Sequence, residues 1–339
     1  MPRIAYLVSS AREIDLRDSS GHPTGFWLEE ALLSYERFAA AGADVVVMTP
    51  DGKAPVPDPY GLEPIFHYPA EDRDYFASVY RTFHHDPDDI RITLDHTTEL
   101  DLVAARRIAL RLAAAGSTPA EAHALVSRAA KIAWEQNRKL VDVMLAEGLD
   151  GGLPEAALRG AVDELNAAAV AVRDDRLARL AAIEGFRSPE ALSELSNERL
   201  AAFDALFAPG GHGPMVDLPD NPDVARLLEV LHGKNATIAA LCHAPALLLS
   251  APERLDGQWL FEGYRLTSYT NEEEDQNAIG RLGLPWLLAS ALQNAGAIFD
   301  DAVYPWASHV VVDRNLITGQ NPYSTEATAD AVLKALALR

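Results

Sequence analysis

Short apolar runs alternate with longer amphipathic stretches near the start of the chain. Apolar runs at Arg3–Ser9 and Asp44–Met48 flank a helical pattern over Phe26–Ala41, which Gly42 ends. The second run is apolar at consecutive positions after its first residue, as is typical of a strand covered on both faces of a parallel sheet. The pattern therefore predicts a βαβ unit at the start of the chain.

The closing third of the chain repeats this alternation. Apolar runs predict strands at Asp204–Ala208 and Ala236–Leu241, followed by helices that start near Asn221 and at Ala244. The remaining elements expected there are a strand or hairpin (Trp259–Tyr269), a helix (Leu284–Ala295), two paired strands (His309–Val312 and Leu316–Gly319) and a closing helix (Ser324–Leu338). Together the two ends of the chain predict an α/β fold built on a parallel sheet.

The middle of the chain has helical spacing and little strand signal. Thr118 and Pro119 are suited to the N-cap and first position of a helix that runs to about Glu147. The other helices expected there are Leu100–Ala115, Pro154–Ile183 and a shorter one from Pro189. We interpret residues 68–197 as an inserted all-α subdomain, and residues 1–67 and 198–339 as the α/β domain.

Composition limits the classes of partner and compartment. The 339 residues carry a net charge of −21, which argues against nucleic acid or an anionic membrane as partner, because those targets select basic surfaces. One cysteine cannot form an internal disulfide, which favours a reducing compartment. The apolar run near the amino terminus is too short for a signal peptide, and no segment approaches the ~20 apolar residues that cross a bilayer. We expect a cytoplasmic protein.

The single cysteine, Cys242, lies where a predicted strand turns into a predicted helix. Such a turn exposes a side chain above the sheet edge and directs helical N–H groups towards it, which favours thiolate over thiol. This is a suitable position for a nucleophile. The alternative is a buried, inert cysteine, and this stretch alone does not decide between the two.

A second turn lies at the end of the preceding predicted strand and is rich in glycine. Its residues are Pro209, Gly210, Gly211, His212 and Gly213. Glycine lets the backbone approach a ligand closely and adopt positive φ. Because the carboxyl ends of parallel strands meet at one edge of a sheet, the glycine turn and the thiol are expected to form one site.

Six blocks of sequence resemble the DJ-1/PfpI superfamily, in its Hsp31-like branch of cofactor-independent glyoxalases and chaperones. In order they are TGFWLEE, AGADVVVMTPDGKAPVPDP, APGGHGPMVDLPDN, ALCHAP, SYTNEEE and LITGQNP, which lie between Thr24 and Pro322. The resemblance covers roughly residues 1–67 and 198–339, and not the helical segment. It implies a flavodoxin-like parallel sheet sandwiched by helices.

The resemblance also implies roles for several residues. Cys242 would be the nucleophile, Glu30 the acid that hydrogen-bonds the thiol, and His243 the adjacent general acid and base. Of the neighbouring pair, Glu30 is preferred to Glu29. A downstream carboxylate would orient the histidine, with Glu274 as the best candidate and Glu272 and Glu273 still open.

Further residues complete the expected site. The backbone N–H groups of Gly211 and His243 would form an oxyanion hole. His212 would bind substrate or cover the sheet edge, and His309 would reach the pocket or be structural. A glutamate beside the thiol must be protonated for this scheme, so burial should raise its pKa.

The chemistry implied is cysteine-dependent conversion of a 2-oxoaldehyde to a 2-hydroxy acid, as in glyoxalase III. It needs a small carbonyl substrate and neither a cofactor nor a metal. A hydratase, lyase or biosynthetic tailoring enzyme with a lidded thiol pocket, and an Hsp31-like stress chaperone, remain alternatives. The resemblance implies a homodimer, and the helical segment is expected to be a lid or an oligomerisation surface.

One histidine-rich stretch in the middle of the chain has a separate interpretation. His84, His85 and Asp86 offer metal-ligand chemistry, but a solvated acidic loop is the preferred interpretation.

Overall fold

The computed structural model describes residues 1–83, 100–254 and 257–337. Its described residues form two compact units, one of Met1–Leu62 with Arg176–Arg339 and the other of Glu63–Asp175. The sequence had placed the boundaries later, at residues 67/68 and 197/198. Residues 176–197 fall in the first unit because they add a strand to its sheet and apolar side chains, such as Leu180 and Phe186, to its core.

A mostly parallel sheet forms the centre of the first unit. In the described part of the chain it has seven strands in the order β10-β11-β7-β6-β1-β4-β5, with only the β10–β11 pair antiparallel. These strands are β1 (Arg3–Leu7), β4 (Asp44–Thr49), β5 (Glu190–Ala191), β6 (Ala205–Ala208), β7 (Thr237–Leu241), β10 (Val310–Asp313) and β11 (Leu316–Gly319). Two short pairs lie outside it, formed by β2 (Glu13–Asp15) with β3 (Gly21–Pro23) and by β8 (Arg265–Leu266) with β9 (Ile298–Phe299).

β6 is buried at every residue and β1 and β7 at every residue after the first, whereas the first three residues of β4 are partly exposed. Alternate residues of β1 enter different cores, with Ile4 and Tyr6 in one and Ala5 and Leu7 in the other. Helices cover both faces of the sheet. Those of the first unit are α1 (Leu28–Ala40), α7 (Glu184–Arg187), α8 (Asn197–Ala201), α9 (Pro214–Asp217), α10 (Pro222–Gly233), α11 (Asn271–Gln276), α12 (Ala278–Gly283), α13 (Leu288–Asn294) and α14 (Thr325–Ala335), with 3₁₀ turns at Tyr60–Leu62, Leu192–Glu194, Ala244–Ser250 and Pro322–Ser324.

The described residues of the second unit form helices joined by turns and loops. Its helices are α2 (Ala70–Tyr80), α3 (Ala105–Ala114), α4 (Pro119–Gln136), α5 (Leu140–Ala146) and the start of α6 (Glu155–Ala182), with 3₁₀ turns at Pro64–His67 and Leu102–Ala104. A core of leucine, alanine and valine side chains holds them together. Thr118 caps α4 through a capping box with Glu121, as its position predicted.

The structure corrects four predicted elements. The helix expected from Thr118 to Glu147 is broken at Asn137, whose φ of 52° ends α4 before α5 begins. The short helix expected at Pro189 is instead the edge strand β5, because pairing with β4 outweighs local propensity. The segment from Ala244 is a 3₁₀ helix, and within Trp259–Tyr269 only β8 is a strand.

Within the described ranges, no helix combines the length and apolar character that crossing a membrane requires.

Candidate active site

Cys242 follows β7 directly, at the carboxyl edge of the sheet. Its φ of 60° is unusual for a residue with a side chain and identifies a strained turn of the kind that holds nucleophiles. The turn is fixed on both sides, since Cys242 N donates to Gly319 O at 2.9 Å and Tyr269 N donates to Cys242 O at 2.9 Å. The residue is only 2% exposed, so any substrate must be small or must enter by local opening.

The glycine turn after β6 packs directly against the cysteine. A Cβ atom at Gly210 would lie 2.6 Å from Cys242 Cβ and 2.9 Å from His243 N, closer than atoms can approach. Gly211 has a φ of 95°, and the backbone N–H groups of Gly211 and His243 act to lower the pKa of the Cys242 thiol. These are the two N–H groups that the sequence assigned to an oxyanion hole, a role that stays a prediction.

Replacing Gly210 by alanine tests this close packing. We expect Gly210→Ala to lower the free energy of unfolding by about 1–3 kcal/mol, because the new methyl group must displace the cysteine turn. Thermal or denaturant unfolding measures this. Gly233→Ala is the matched control, since among the described residues nothing lies within 4 Å of a Cβ atom there, and it should change stability by less than about 1 kcal/mol. Equal effects of the two substitutions would contradict the packing argument.

Glu30 lies on α1 and is completely buried against the thiol. Its Oε2 accepts a 2.6 Å hydrogen bond from Gly210 N, and the carboxyl group interacts with the side chain of Cys242. Burial raises the pKa of Glu30 to about 8, so the group is protonated at neutral pH, as the sequence argument requires. The neighbouring Glu29 instead forms an ion pair with Arg176, with Oε1 2.7 Å from Nη2.

His243 connects the thiol to a carboxylate. Its Nδ1 lies 3.2 Å from Cys242 Sγ, and its Nε2 lies 2.7 Å from Glu274 Oε1. All three side chains are buried. Although burial opposes ionisation, the imidazoles of His243 and His212 hold the pKa of Glu274 well below its usual range. The result is a continuous thiol–imidazole–carboxylate chain, with the carboxylate ionised.

The three successive glutamates on α11 have different surroundings. Glu272 is exposed, whereas Glu273 and Glu274 are buried. The carboxylate of Glu273 accepts hydrogen bonds from several groups, namely the backbone N–H groups of Thr270 and Trp306, the Thr270 hydroxyl and the amides of Gln320 and Asn321. Of the three, Glu274 is the glutamate that contacts His243, with Oε1 2.7 Å from Nε2. The sequence left open which of the three carboxylates lies beside His243. The answer depends on which face of α11 packs against the imidazole.

His212 also contacts the carboxylate of Glu274. Its Nε2 lies 3.4 Å from Glu274 Oε2, and its ring centroid lies 4.2 Å from that of His243. Within the described chain its Nδ1 is buried without a hydrogen-bond partner. The substrate-binding role assigned to His212 stays a prediction.

The resting state of the thiol differs from the expected one. Burial and the nearby Glu30 raise the pKa of Cys242 well above its usual value, although the N–H groups of Gly211 and His243 act in the opposite direction. The expected helix is a short 3₁₀ segment, so its dipole does not compensate for burial. Cys242 is therefore a thiol at rest, and it needs a base to become a nucleophile.

Three residues that sequence reasoning did not select complete the surroundings of His243. The ring of Tyr269 stacks on it with centroids 4.4 Å apart, and Trp306 packs edge-on against Tyr269 at 5.6 Å. Asn277 donates from Nδ2 to Glu274 Oε2 at 2.7 Å and caps α12 through its Oδ1. An asparagine before a helical pattern is a recognisable N-cap signal, but its second contact depends on tertiary structure.

His309, expected to reach the pocket or to be structural, lies beside an aspartate. Its Nε2 is 3.3 Å from Asp300 Oδ1, and its backbone N–H donates to Ser324 Oγ at 3.0 Å. In this segment Trp306 packs on the ring of Tyr269, which itself stacks on His243. A substrate-binding role for His309 stays a prediction.

A metal could be considered at His212, His243 and Glu274, since one ligand atom from each lies within 4.8 Å of the others. Two imidazoles and a carboxylate suit zinc or iron chemically. Here both carboxylate oxygens already accept hydrogen bonds, Oε1 from His243 Nε2 and Oε2 from Asn277 Nδ2, each at 2.7 Å. We therefore interpret the group as a proton-transfer cluster. His84, His85 and Asp86, the other metal candidates, lie outside the described residues.

Most of the sequence that forms this site matches a known protein family. The family model described as "DJ-1/PfpI family" matches residues 154–335, more than half of the chain. The chain belongs to the DJ-1/PfpI family. The resemblance inferred from the six sequence blocks is thereby confirmed.

Curated relatives match about four-tenths of the chain. A Bos taurus protein named glutamine amidotransferase-like class 1 domain-containing protein 1 is 36% identical over 42% of this chain and 62% of its own length. Glyoxalase 3 of Candida albicans is 28% identical over 39% of this chain and 58% of its own length. The chain thus spans about six-tenths of the length of these relatives.

Solved structures of the family share the fold. The crystal structure of glyoxalase III from Candida albicans aligns with a TM-score of 0.55 at 18% identity, covering 98% of this chain and 97% of that one. This likeness confirms the predicted flavodoxin-like α/β fold with helices on both faces of the sheet.

Proposed function

We propose that this protein is a cofactor-independent, cysteine-dependent enzyme that converts a 2-oxoaldehyde to a 2-hydroxy acid, as glyoxalase III does. The observation that carries the proposal is the hydrogen-bonded chain from Cys242 through His243 to Glu274, with spacings of 3.2 and 2.7 Å. A protonated Glu30 lies against the same sulfur. The glyoxalase name of the Candida albicans relative supports the same class of substrate.

The first step joins the sulfur to the aldehyde carbon. His243 takes the thiol proton at Nδ1 while the sulfur attacks, and the aldehyde oxygen then receives a proton to give a hemithioacetal. Glu30 is a suitable acid for this proton because its pKa of about 8 keeps it protonated at neutral pH. The N–H groups of Gly211 and His243 would hold the developing oxyanion.

The second step moves hydrogen between the two carbons of the substrate. The proton on His243 Nδ1 first passes to the ionised Glu30, which returns both groups to their starting states. Neutral His243 then removes the proton from the carbon bonded to sulfur and delivers it to the neighbouring carbon, while the hydroxyl proton moves from the first substrate oxygen to the second, which leaves a thioester and a hydroxyl group. Water hydrolyses the thioester, which releases the 2-hydroxy acid and regenerates the thiol. The overall change is addition of one water to the 2-oxoaldehyde, so no oxidant or reductant is consumed.

The experiment that tests this proposal follows methylglyoxal by NMR. We expect purified protein to form lactate, with turnover unaffected by EDTA, because each step uses only this chain's own side chains and water. Glutamine is included as a control substrate, and no ammonia release is expected. Absence of lactate above the uncatalysed rate would refute the proposal.

The role of the helical second unit is a separate proposal, as a lid or an oligomerisation surface. Light scattering of the full chain tests the second alternative together with the proposed homodimer. A monomeric mass at micromolar concentration would eliminate both the homodimer and the oligomerisation role.

A further inference from the structure

One carboxylate at the site serves two imidazoles. Glu274 Oε1 accepts from His243 Nε2 at 2.7 Å, while Oε2 lies 3.4 Å from His212 Nε2 and accepts from Asn277 Nδ2 at 2.7 Å. A cysteine–histidine–carboxylate chain needs only the first of these contacts. The second imidazole therefore requires an explanation of its own.

The position of His212 is tightly determined. A Cβ atom at the preceding Gly211 would lie 2.5 Å from Gly25 O, and one at the following Gly213 would lie 2.7 Å from Ser9 Oγ. The imidazole itself is 4% exposed, and its ring centroid lies 4.2 Å from that of His243. The side chain consequently has one polar contact among the described residues, and that contact is Glu274.

We propose that His212 is a positioning residue that holds the second oxygen of Glu274 and, by sharing this carboxylate, keeps His243 neutral as the base for the thiol. The kinetic part of this inference rests on the proposed function, whereas the protonation of the cluster does not. His212 would act on the reaction through Glu274 and His243, without needing to touch the substrate.

The charges around the two imidazoles support these separate roles, in which His212 holds Glu274 and His243 acts as the base. His212 faces Glu274, His243 and the buried Asp58. Burial acts to lower the pKa of His212, but Glu274 and Asp58 together outweigh this effect and raise it. Burial and the charge of His212 lower the pKa of His243, against the opposing effects of Glu274 and Asp58. The other titratable groups of the cluster are Cys242, Glu30, Tyr269 and Glu273.

In the proposed resting state His212 is protonated, Glu274 is ionised and His243 is neutral, in line with the directions in which their surroundings move the three pKa values. In this state His243 donates Nε2–H to Glu274 and offers the lone pair of Nδ1 to the thiol. When the thiol proton moves to Nδ1, a second imidazolium shares the same carboxylate. That imidazolium is therefore a strong enough acid to return its proton to the substrate later in the reaction.

The test that does not depend on turnover uses His212→Gln, whose amide keeps an N–H donor near Glu274 but carries no charge. We expect His243, followed by NMR of ¹⁵N-histidine, to titrate about one pH unit higher in the variant, because Glu274 then serves one imidazolium. Alkylation of Cys242 by iodoacetamide near pH 8 should become about tenfold faster, because the thiolate–imidazolium pair is better stabilised.

The kinetic readout is the pH dependence of methylglyoxal turnover. The acidic limb of kcat/KM should move up by about one pH unit in His212→Gln, with recovery at higher pH. His232→Gln is the matched control, because His232 contacts Tyr264 in another part of the first unit, and it should leave both profiles unchanged.

Two results would overturn the inference. One is a His212→Gln variant whose His243 titration and alkylation profile coincide with those of the wild type. The other, which needs no variant to fold, is a wild-type ¹⁵N spectrum at pH 7 that shows a neutral His212 beside a charged His243. If these signatures appear as expected but no lactate forms, the proposed function fails while the role of His212 stands.

Discussion

Cys242→Ala is expected to abolish methylglyoxal turnover, with kcat/KM reduced by at least roughly 10³-fold. The sulfur is the atom proposed to bond the substrate, and the neighbouring His243 and Glu30 act on that sulfur or on the bond it forms. No other thiol exists in the chain to replace it. Lactate formation from methylglyoxal, followed by NMR, measures the loss.

The same substitution should leave the fold intact. The backbone at Cys242 has a φ of 60°, which alanine adopts no less readily than cysteine, and both of its backbone hydrogen bonds are kept. Circular dichroism and the unfolding transition should match those of the wild type to within about 1–2 kcal/mol. A folded Cys242→Ala protein that retained a tenth of the wild-type rate would rule out covalent catalysis by this residue.

Glu30→Gln should make the protein more stable and less active. At neutral pH the buried carboxyl is protonated, and glutamine has nearly the same shape, so Gly210 N can still donate to its side-chain oxygen. Glutamine cannot deliver a proton to the substrate oxygen. Turnover should therefore fall by roughly 10²-fold, the usual contribution of a general acid.

The stability change has a defined pH dependence. The folded-state pKa of Glu30 is about 8 and the unfolded value about 4.5, so between these values the folded protein binds a proton that the unfolded chain does not. The contribution of protonated Glu30 to the free energy of unfolding is therefore fully present below pH 4.5, and it is lost as the pH rises through 8. Glutamine does not titrate, so its contribution does not fall with pH. At pH 7, Glu30→Gln should therefore raise the free energy of unfolding by about 3 kcal/mol.

Denaturant unfolding at pH 4.5, 7 and 8.5 measures this difference, which should grow with pH. Glu29→Gln is the matched control on the same helix, because Glu29 is partly exposed and paired with Arg176, and its removal should cost no more than about 1 kcal/mol. A Glu30→Gln protein with unchanged or lower stability at pH 8.5 would show that Glu30 is not held as a buried neutral acid.

Local sequence patterns predicted much of the α/β framework. The apolar runs of β1, β4, β6 and β7 indicated strands, with that of β4 typical of a strand covered on both faces, and these strands lie in the middle of the sheet. The turn after each strand then placed the glycines and Cys242 at one edge of the sheet. Local sequence patterns did not predict β5. Its two residues form a strand only because β4 lies beside them.

What the sequence by itself determined is therefore the fold class, the family and the turn that presents the thiol, because these depend on periodicity and on residues close together in the chain. Only the tertiary structure decided that Glu274 meets His243, that His212 shares the same carboxylate, and that Tyr269, Trp306 and Asn277 support them. It also reversed the expected state of Cys242. The physical reason is that burial and neighbouring charge set protonation, and both are properties of residues brought together from distant parts of the chain.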